Sequence, residues 1–528
     1  MSNFIARSAR ASKGWYELES CIPAEKASHD MTHTLLKQRR AGVLLHPTSL
    51  PGPHGSGDFG PDAYRFVDWL QSAGQTLWQT LPLGPVGPGY SPYMGSSAFA
   101  GNPTLVAFEP LRERGWLSSR SLHASFDPLK VDYHLVNEWR MKKLREAFSG
   151  FEKRAKRADQ DELHEWVLSQ QSWLDDYALF MALDTRFAGA VWPAWPAPLA
   201  RREADAMAQA RTEFAHEIAF WGFVQWQFDV QWQALRAYAR DRHVLTVGDL
   251  PIFIAHHSAD CWARPDLYML DADGSPSVIA GVPPDFFSET GQRWGNPLYN
   301  WSAMKGDAYR WWIARMRRQL SLADIVRIDH FRGFVDYWEI PADEPTAIHG
   351  RWQPGPADDL FVALAGALGE LPIIAEDLGI ITSEVTALRL RLGFPGMKIL
   401  QFGFSGDENH VFLPASYEPG TVVYTGTHDN DTVRGWWANC SEHERQFAGR
   451  YLNAGPENVH WAMLEAINRS VASIALCQLQ DALGLDGTHR MNTPGTMGCW
   501  TWRFSWDWFD PSISKKLAQL ARESDRQH

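Results

Sequence analysis

Eight short, nearly continuous apolar segments alternate with stretches of helical pattern, and this alternation limits the fold more than any other feature of the chain. They are AGVLLHP (41–47), QTLWQTLPL (75–83), HVLTVGDLPIFI (243–254), ADIVRIDHF (323–331), LPIIAEDLG (371–379), GMKILQFGF (396–404), TVVYTGTHD (421–429) and SIALCQLQD (473–481). A strand that is apolar on both sides needs cover on both sides, and parallel sheets obtain it from crossover helices. Stretches such as PDAYRFVDWLQSAG and SEVTALRLRLG supply those helices. Eight βα units predict an α/β fold of the (β/α)8 TIM barrel type; an open doubly wound sheet is the alternative.

Two gaps are too long for single crossovers. The gap at about 84–242 begins with the Gly/Pro-rich loop GPVGPGYSPYMGSSAFAGNP and continues into charged, helical sequence at 137–187. A further helix is expected over roughly 203–241, where Phe214, Ile218, Trp221, Val224, Phe228, Trp232 and Leu235 recur at helical spacing and read as core. A second insertion at about 255–322 contains GVPPDFFSETGQRWGNPLYNW. The expected organisation is a poorly ordered N-terminal extension at 1–40, within which Met31 is an alternative start, and a single barrel over 41–528 carrying both largely helical insertions.

The net charge of -12 argues against a nucleic-acid partner. Five scattered cysteines (Cys21, Cys261, Cys440, Cys477, Cys499) without a C-x-x-C pair speak against a zinc site or a disulfide framework and fit a reducing compartment. The N-terminus lacks the apolar core of a signal peptide, and no stretch reaches the ~20 apolar residues of a membrane span. The expectation is a soluble cytoplasmic protein with no membrane partner.

Chemistry concentrates where strands end. Asp249, Asp329, Glu376 and Asp429 close four of the eight segments, with Arg327, His330 and His428 beside them. Each acid alone has the plain explanation of capping the next helix. In a βα barrel, however, strand C-termini converge on one mouth, and assembling four like charges there is costly unless function requires it. Paired carboxylates suit glycosyl transfer; an Asp/Glu/His set also suits a divalent metal. The arginine separates the two. Residues i and i+2 of a strand share a face, so Arg327 should stand beside Asp329 and keep it ionised. A carboxylate nucleophile needs that, and a metal site gains little from it. Glu376 follows an apolar strand, where a raised pKa would fit it for acid and then base duty. His428 and Asp429 side by side can bind sugar hydroxyls. GSGDFG (55–60) matches G-x-G-x-x-G, but about eight residues separate it from the strand, whereas a dinucleotide loop follows its strand directly. No G-x-S-x-G, H-E-x-x-H or Walker sequence occurs.

The segments VRIDHFRGF, AEDLG and THDND resemble the catalytic segments of the 4-α-glucanotransferases (amylomaltases or disproportionating enzymes), glycoside hydrolase family 77 of the α-amylase clan. GVLLHPTSLPGPHGSGDFG, LPLGP…SPY…SAFAGNP, VGDLPIFIA, GVPPDFFSETGQRWGNPLYNW, FPGMKILQF and RMNTPGT…W extend the likeness over about 41–504. The resemblance implies a retaining double displacement, with Asp329 as nucleophile and Glu376 as general acid/base. Asp429 would bind the 2- and 3-hydroxyls of the sugar, His428 would help bind the −1 sugar, and Arg327 would hold Asp329 ionised. Tyr93, Ser91, Asp249, Gln292, Trp294, His330 and Asn492 fall on substrate-binding positions, and residues 286–296 on a mobile loop over the cleft. By strand alternation His330 points away from Asp329 unless the strand has already ended, so its substrate contact rests on the resemblance alone. Implied substrates are maltooligosaccharides, amylose or glycogen-derived glucans, with glucose or maltose as acceptors and no metal or organic cofactor. One departure is visible: Tyr90 precedes the serine of GPGYSPY, where the family usually has an acidic residue. The alternatives are an α-1,4-glucan hydrolase of the clan and a non-catalytic glucan-binding barrel; the latter has no need of three ionisable groups at one bond.

Overall fold

The computed structural model describes residues 33–284 and 288–527. In chain order its strands are β1 (Arg40–Leu44), β2 (Leu77–Gln79), β3 (Leu245–Leu250), β4 (Val278–Val282), β5 (Gln292–Pro297), β6 (Ile325–Ile328), β7 (Asp336–Pro341), β8 (Arg351–Pro354), β9 (Ile373–Ala375), β10 (Gly396–Ile399), β11 (Thr421–Tyr424) and β12 (Ile474–Gln478). The eight apolar segments provide β1, β2, β3, β6, β9, β10, β11 and β12. These pair in parallel, each with the next in sequence except β9 with β10, and β12 returns to β1. Between β9 and β10 the ring closes through the Ala375 N–H, which donates to the Pro395 carbonyl at 3.0 Å. The fold is the TIM barrel.

Every strand of the barrel is shorter than its apolar segment, because the second half of the segment turns out into the rim; β1 alone starts one residue ahead of its segment, at Arg40. Asp329 and Glu376 are the first residues beyond β6 and β9, and Asp249 is the penultimate residue of β3. Inside the barrel, Leu77, Val247, Ile325, Ile374, Met397, Ile399, Val422, Tyr424, Ile474 and Leu476 form one cluster. Gly42 faces the same crowded space: a Cβ there would lie 2.5 Å from that of Leu77. Leu36 joins this cluster from a helical turn, Thr34–Lys37. The last residues of the expected extension are therefore ordered, since burying Leu36 against the barrel floor offsets the entropy of fixing them; residues 1–32, with Met31 and Cys21, lie outside the described residues.

The first insertion is helical, as expected, but the helix anticipated over 203–241 is two, Ala204–Glu213 and Ala215–Arg240, which meet at Phe214. Its aromatic stripe is core: Trp221, Val224, Phe228, Trp232 and Leu235 are buried. The second insertion is not largely helical. β4 and β5 pair antiparallel and join β7 and β8 in a separate sheet of order β5-β4-β7-β8. The sequence hides this sheet because GVPP, RWGNP and EIP carry the glycines and prolines that read as loop. The helix Arg310–Leu322 at the end of that stretch leads directly into β6.

Candidate active site

Register places the central pair. Asp249 and Arg327 are directly opposed across β3 and β6, and Arg327 Nη1 donates to both Asp249 oxygens at 2.7 and 2.8 Å. Two residues on, Arg327 Nη2 donates to Asp329 Oδ1 at 2.9 Å. One buried guanidinium thus serves two carboxylates. Burial works against its charge, but Asp249 and Asp329 outweigh it and push the Arg327 pKa well above its ordinary value.

The strand stops just before the alternation would turn His330 away. His330 adopts a left-handed backbone (φ 53°), uncommon for a non-glycine residue. That turn aims its N–H at Glu376 Oε2, 2.7 Å away, while the Leu378 N–H donates to Oε1 at 2.9 Å. Both oxygens of Glu376 are therefore fixed by backbone. Burial, then the negative charge of Asp329, push the Glu376 pKa up to about 7 against the opposing pull of Arg327 and these two bonds. The role of His330 as a backbone anchor has no sequence signal, because it depends on where the strand ends.

On the other side of Arg327, the Tyr93 hydroxyl donates to Asp249 Oδ2 at 2.7 Å and lies 2.9 Å from His428 Nε2. Burial first, and then Asp249, hold the Tyr93 hydroxyl well above its usual pKa, so it keeps its single proton. That proton is committed to Asp249, so His428 Nε2 must carry the hydrogen toward the Tyr93 oxygen. The same Nε2 stands 3.3 Å from Asp429 Oδ2. Burial disfavours the imidazolium, but Asp429 and Asp249 outweigh it and raise the His428 pKa. Asp429 keeps 46% of its side-chain surface exposed and receives Asn492 Nδ2 on Oδ1 at 2.6 Å. Partial desolvation at the mouth opposes its ionisation, yet His428, Asn492 and Arg327 hold its carboxyl well below the ordinary range. Asn430 shapes this loop, its Oδ1 accepting from the Thr427 N–H and hydroxyl.

The remaining expected residues sit at the margin. Trp294 on β5 stands edge-on to His330, ring centres 5.0 Å apart, and donates to Gln292 Oε1 at 3.1 Å. Residues 286 and 287 of the expected mobile loop lie outside the described residues. Ser91 is bonded locally, its hydroxyl accepting from the Tyr93 N–H at 3.2 Å. Tyr90, the departure in that loop, stacks on Tyr133 at 4.8 Å. Trp500, part of the RMNTPGT…W segment but not singled out by sequence, packs 5.9 Å from Tyr93 and 5.8 Å from His428. Among the described residues, no group of three or more His, Cys, Asp or Glu is placed to hold a metal ion, and no helix is long and apolar enough to cross a membrane.

A family model described as 4-alpha-glucanotransferase matches residues 45–508. A 4-alpha-glucanotransferase of Thermus thermophilus is 46% identical over 497 residues, covering 92% of this chain and 99% of its own length. Another, from a Synechocystis strain, is 45% identical over 92% of this chain and 97% of its own. The amylomaltase of Streptococcus agalactiae, solved in complex with acarbose, superposes with a TM-score of 0.90 at 38% identity, covering 93% of this chain and all of that one. The chain belongs to the 4-alpha-glucanotransferase family, glycoside hydrolase family 77, and is a glucan-processing enzyme with 4-alpha-glucanotransferase activity.

Proposed function

We propose that the enzyme transfers α-1,4-glucan segments between maltooligosaccharides or amylose by a retaining double displacement, in the cytoplasm and with no cofactor in the chemical steps. The Asp329 carboxylate attacks the anomeric carbon, Glu376 gives its proton to the departing glycosidic oxygen, and the new glycosyl group is held as an ester on Asp329. The 4-hydroxyl of an acceptor glucan or glucose then yields its proton to Glu376 and displaces Asp329, so two inversions give net retention. An acceptor from the same chain gives a cyclic glucan. Asp429, Asn492 and His428 hold the hydroxyls of the sugar being transferred, Tyr93 and Asp249 brace His428 and Arg327, and Trp294 with Gln292 offers a platform at the acceptor side.

One observation carries the reading: Glu376, with a pKa near 7, and Asp329, bonded to a guanidinium, stand at neighbouring strand ends. An acid whose pKa is raised toward neutrality beside a carboxylate held by an arginine is the division of labour a retaining transferase requires. The assay is maltotriose alone. Glucose plus a ladder of longer oligosaccharides, at nearly constant total reducing ends, is the expected result. A steady rise in reducing ends means hydrolysis, and binding without products means a glucan-binding barrel.

A further inference from the structure

Behind His428, on the side of its Nδ1, the barrel rim lines a small, partly open cavity of about 10 Å³, roughly the space one water molecule needs. Its walls come from three neighbouring strand ends and the C-terminal segment: His46 just beyond β1, His428 beyond β11, Gln478 ending β12, and Trp502. All four side chains are more than nine-tenths buried. Each has one polar atom without a protein partner: His46 Nδ1, His428 Nδ1, Gln478 Oε1 and Trp502 Nε1. Buried polar atoms are rarely left unpaired. Four around one cavity describe a ligand with both donors and acceptors.

We propose that this cavity is a built site for one water molecule, and that His46, Gln478 and Trp502 are positioning residues that act through it on His428. The inference rests on the reading of His428 as a group that holds the transferred sugar. The Trp502 indole can only donate and the Gln478 oxygen can only accept. The water accepts from Trp502, donates to Gln478 and has one hydrogen and one lone pair left for the two imidazoles. His428 Nε2 carries its hydrogen toward Tyr93 and Asp429, so Nδ1 is the atom that changes when the ring gains or loses a proton. A water meets either state if the neutral His46 tautomer follows: it donates to a bare His428 Nδ1 while accepting from a His46 Nδ1–H, or accepts from a protonated His428 Nδ1 while donating to a bare His46 Nδ1. The other charged or titratable neighbours of His428 are Asp429, Asp249, Arg327, Tyr93 and His46, and the first four lie toward the mouth. The water site is thus the one adjustable contact on the ring's buried side.

The test has a crystallographic and a kinetic arm. A high-resolution structure of the wild-type enzyme should show one water within ~3.2 Å of His428 Nδ1, Trp502 Nε1 and Gln478 Oε1. Trp502→Phe and Gln478→Met each remove one of its partners. Both variants should lower kcat on maltotriose about 2- to 10-fold, the range of one buried hydrogen bond, and move the pH profile of kcat/KM. Two variants are used because either alone could fail to fold. A cavity without water overturns the inference, and so do folded variants with an unchanged pH profile, whatever their thermal stability. The crystallographic arm is independent of the reaction, so a missing water would not touch the proposed mechanism, and failure of the maltotriose ladder would not remove the water.

Discussion

Two buried arginines, one at each end of the barrel, are satisfied in opposite ways. Arg526, near the C-terminus and fully buried, donates only to main-chain carbonyls, those of Arg40, Asn468, Ser470, Ala472 and Ser473. Burial, with the nearby charge of Arg39, pushes its pKa down to about 9. Arg327, at the rim, donates to two carboxylates and has its pKa driven up. At the floor a cation ties neutral chain segments together, and removing it leaves a set of carbonyls unpaired. At the mouth a cation holds together carboxylates that would otherwise repel, bonding Asp249 and Asp329 with Glu376 and Asp429 nearby. The floor is arranged for stability and the mouth for chemistry, which is how barrels of this kind divide their two ends.

Variants can break that division. Asp329→Asn, which keeps the shape but removes the attacking charge, should cut transfer by about 10³-fold or more while leaving the protein folded; turnover near the wild-type rate would remove Asp329 as nucleophile. Arg327→Met should lower kcat about 10²- to 10³-fold, the usual loss for a group that stabilises charge in the reacting complex. Arg526→Met should do the reverse: kcat within about twofold at low temperature, but stability lowered in denaturant titrations, by about 1–3 kcal/mol for each buried carbonyl left unpaired. If both substitutions lower kcat alike, the two ends are not separable. Leu36→Ala, which empties part of the barrel floor, should cost about 2–4 kcal/mol of stability without touching kcat/KM.

The pH dependence sharpens the mouth further. In the proposed mechanism Glu376 must be protonated to act first as an acid, and its folded pKa is raised to about 7. Activity as kcat/KM should therefore fall about tenfold per pH unit above an alkaline limb near that value. Since the Asp329 charge is the second cause of the shift, Asp329→Asn should lower the Glu376 pKa, readable by infrared titration of the carboxyl.

Much of this was legible in the sequence. The eight apolar runs showed the barrel because each strand is buried on both faces, and four acids at their ends marked the mouth. The i, i+2 spacing of Arg327 and Asp329 placed them together. What the sequence could not show depends on where strands stop and what meets across space. His330 lies beyond β6 in a left-handed turn, so alternation does not govern it, and its N–H rather than its ring reaches Glu376. Asp249 pairs with Arg327 through strand register, 78 residues apart in the chain. The β5-β4-β7-β8 sheet assembles from two loops that each read as irregular. His46 and Trp502 approach His428 only because β1 and the C-terminal segment close beside β12.

The account rests on a covalent bond to Asp329 and a proton held by Glu376. The direct measurement is intact-protein and peptide mass analysis of Glu376→Gln incubated with an α-maltosyl fluoride, whose fluoride departs without acid help while release to an acceptor lacks its base. The account predicts a protein heavier by one maltosyl group, with the added mass on the peptide containing Asp329. No adduct during turnover of the fluoride, or an adduct on any other residue, would contradict it.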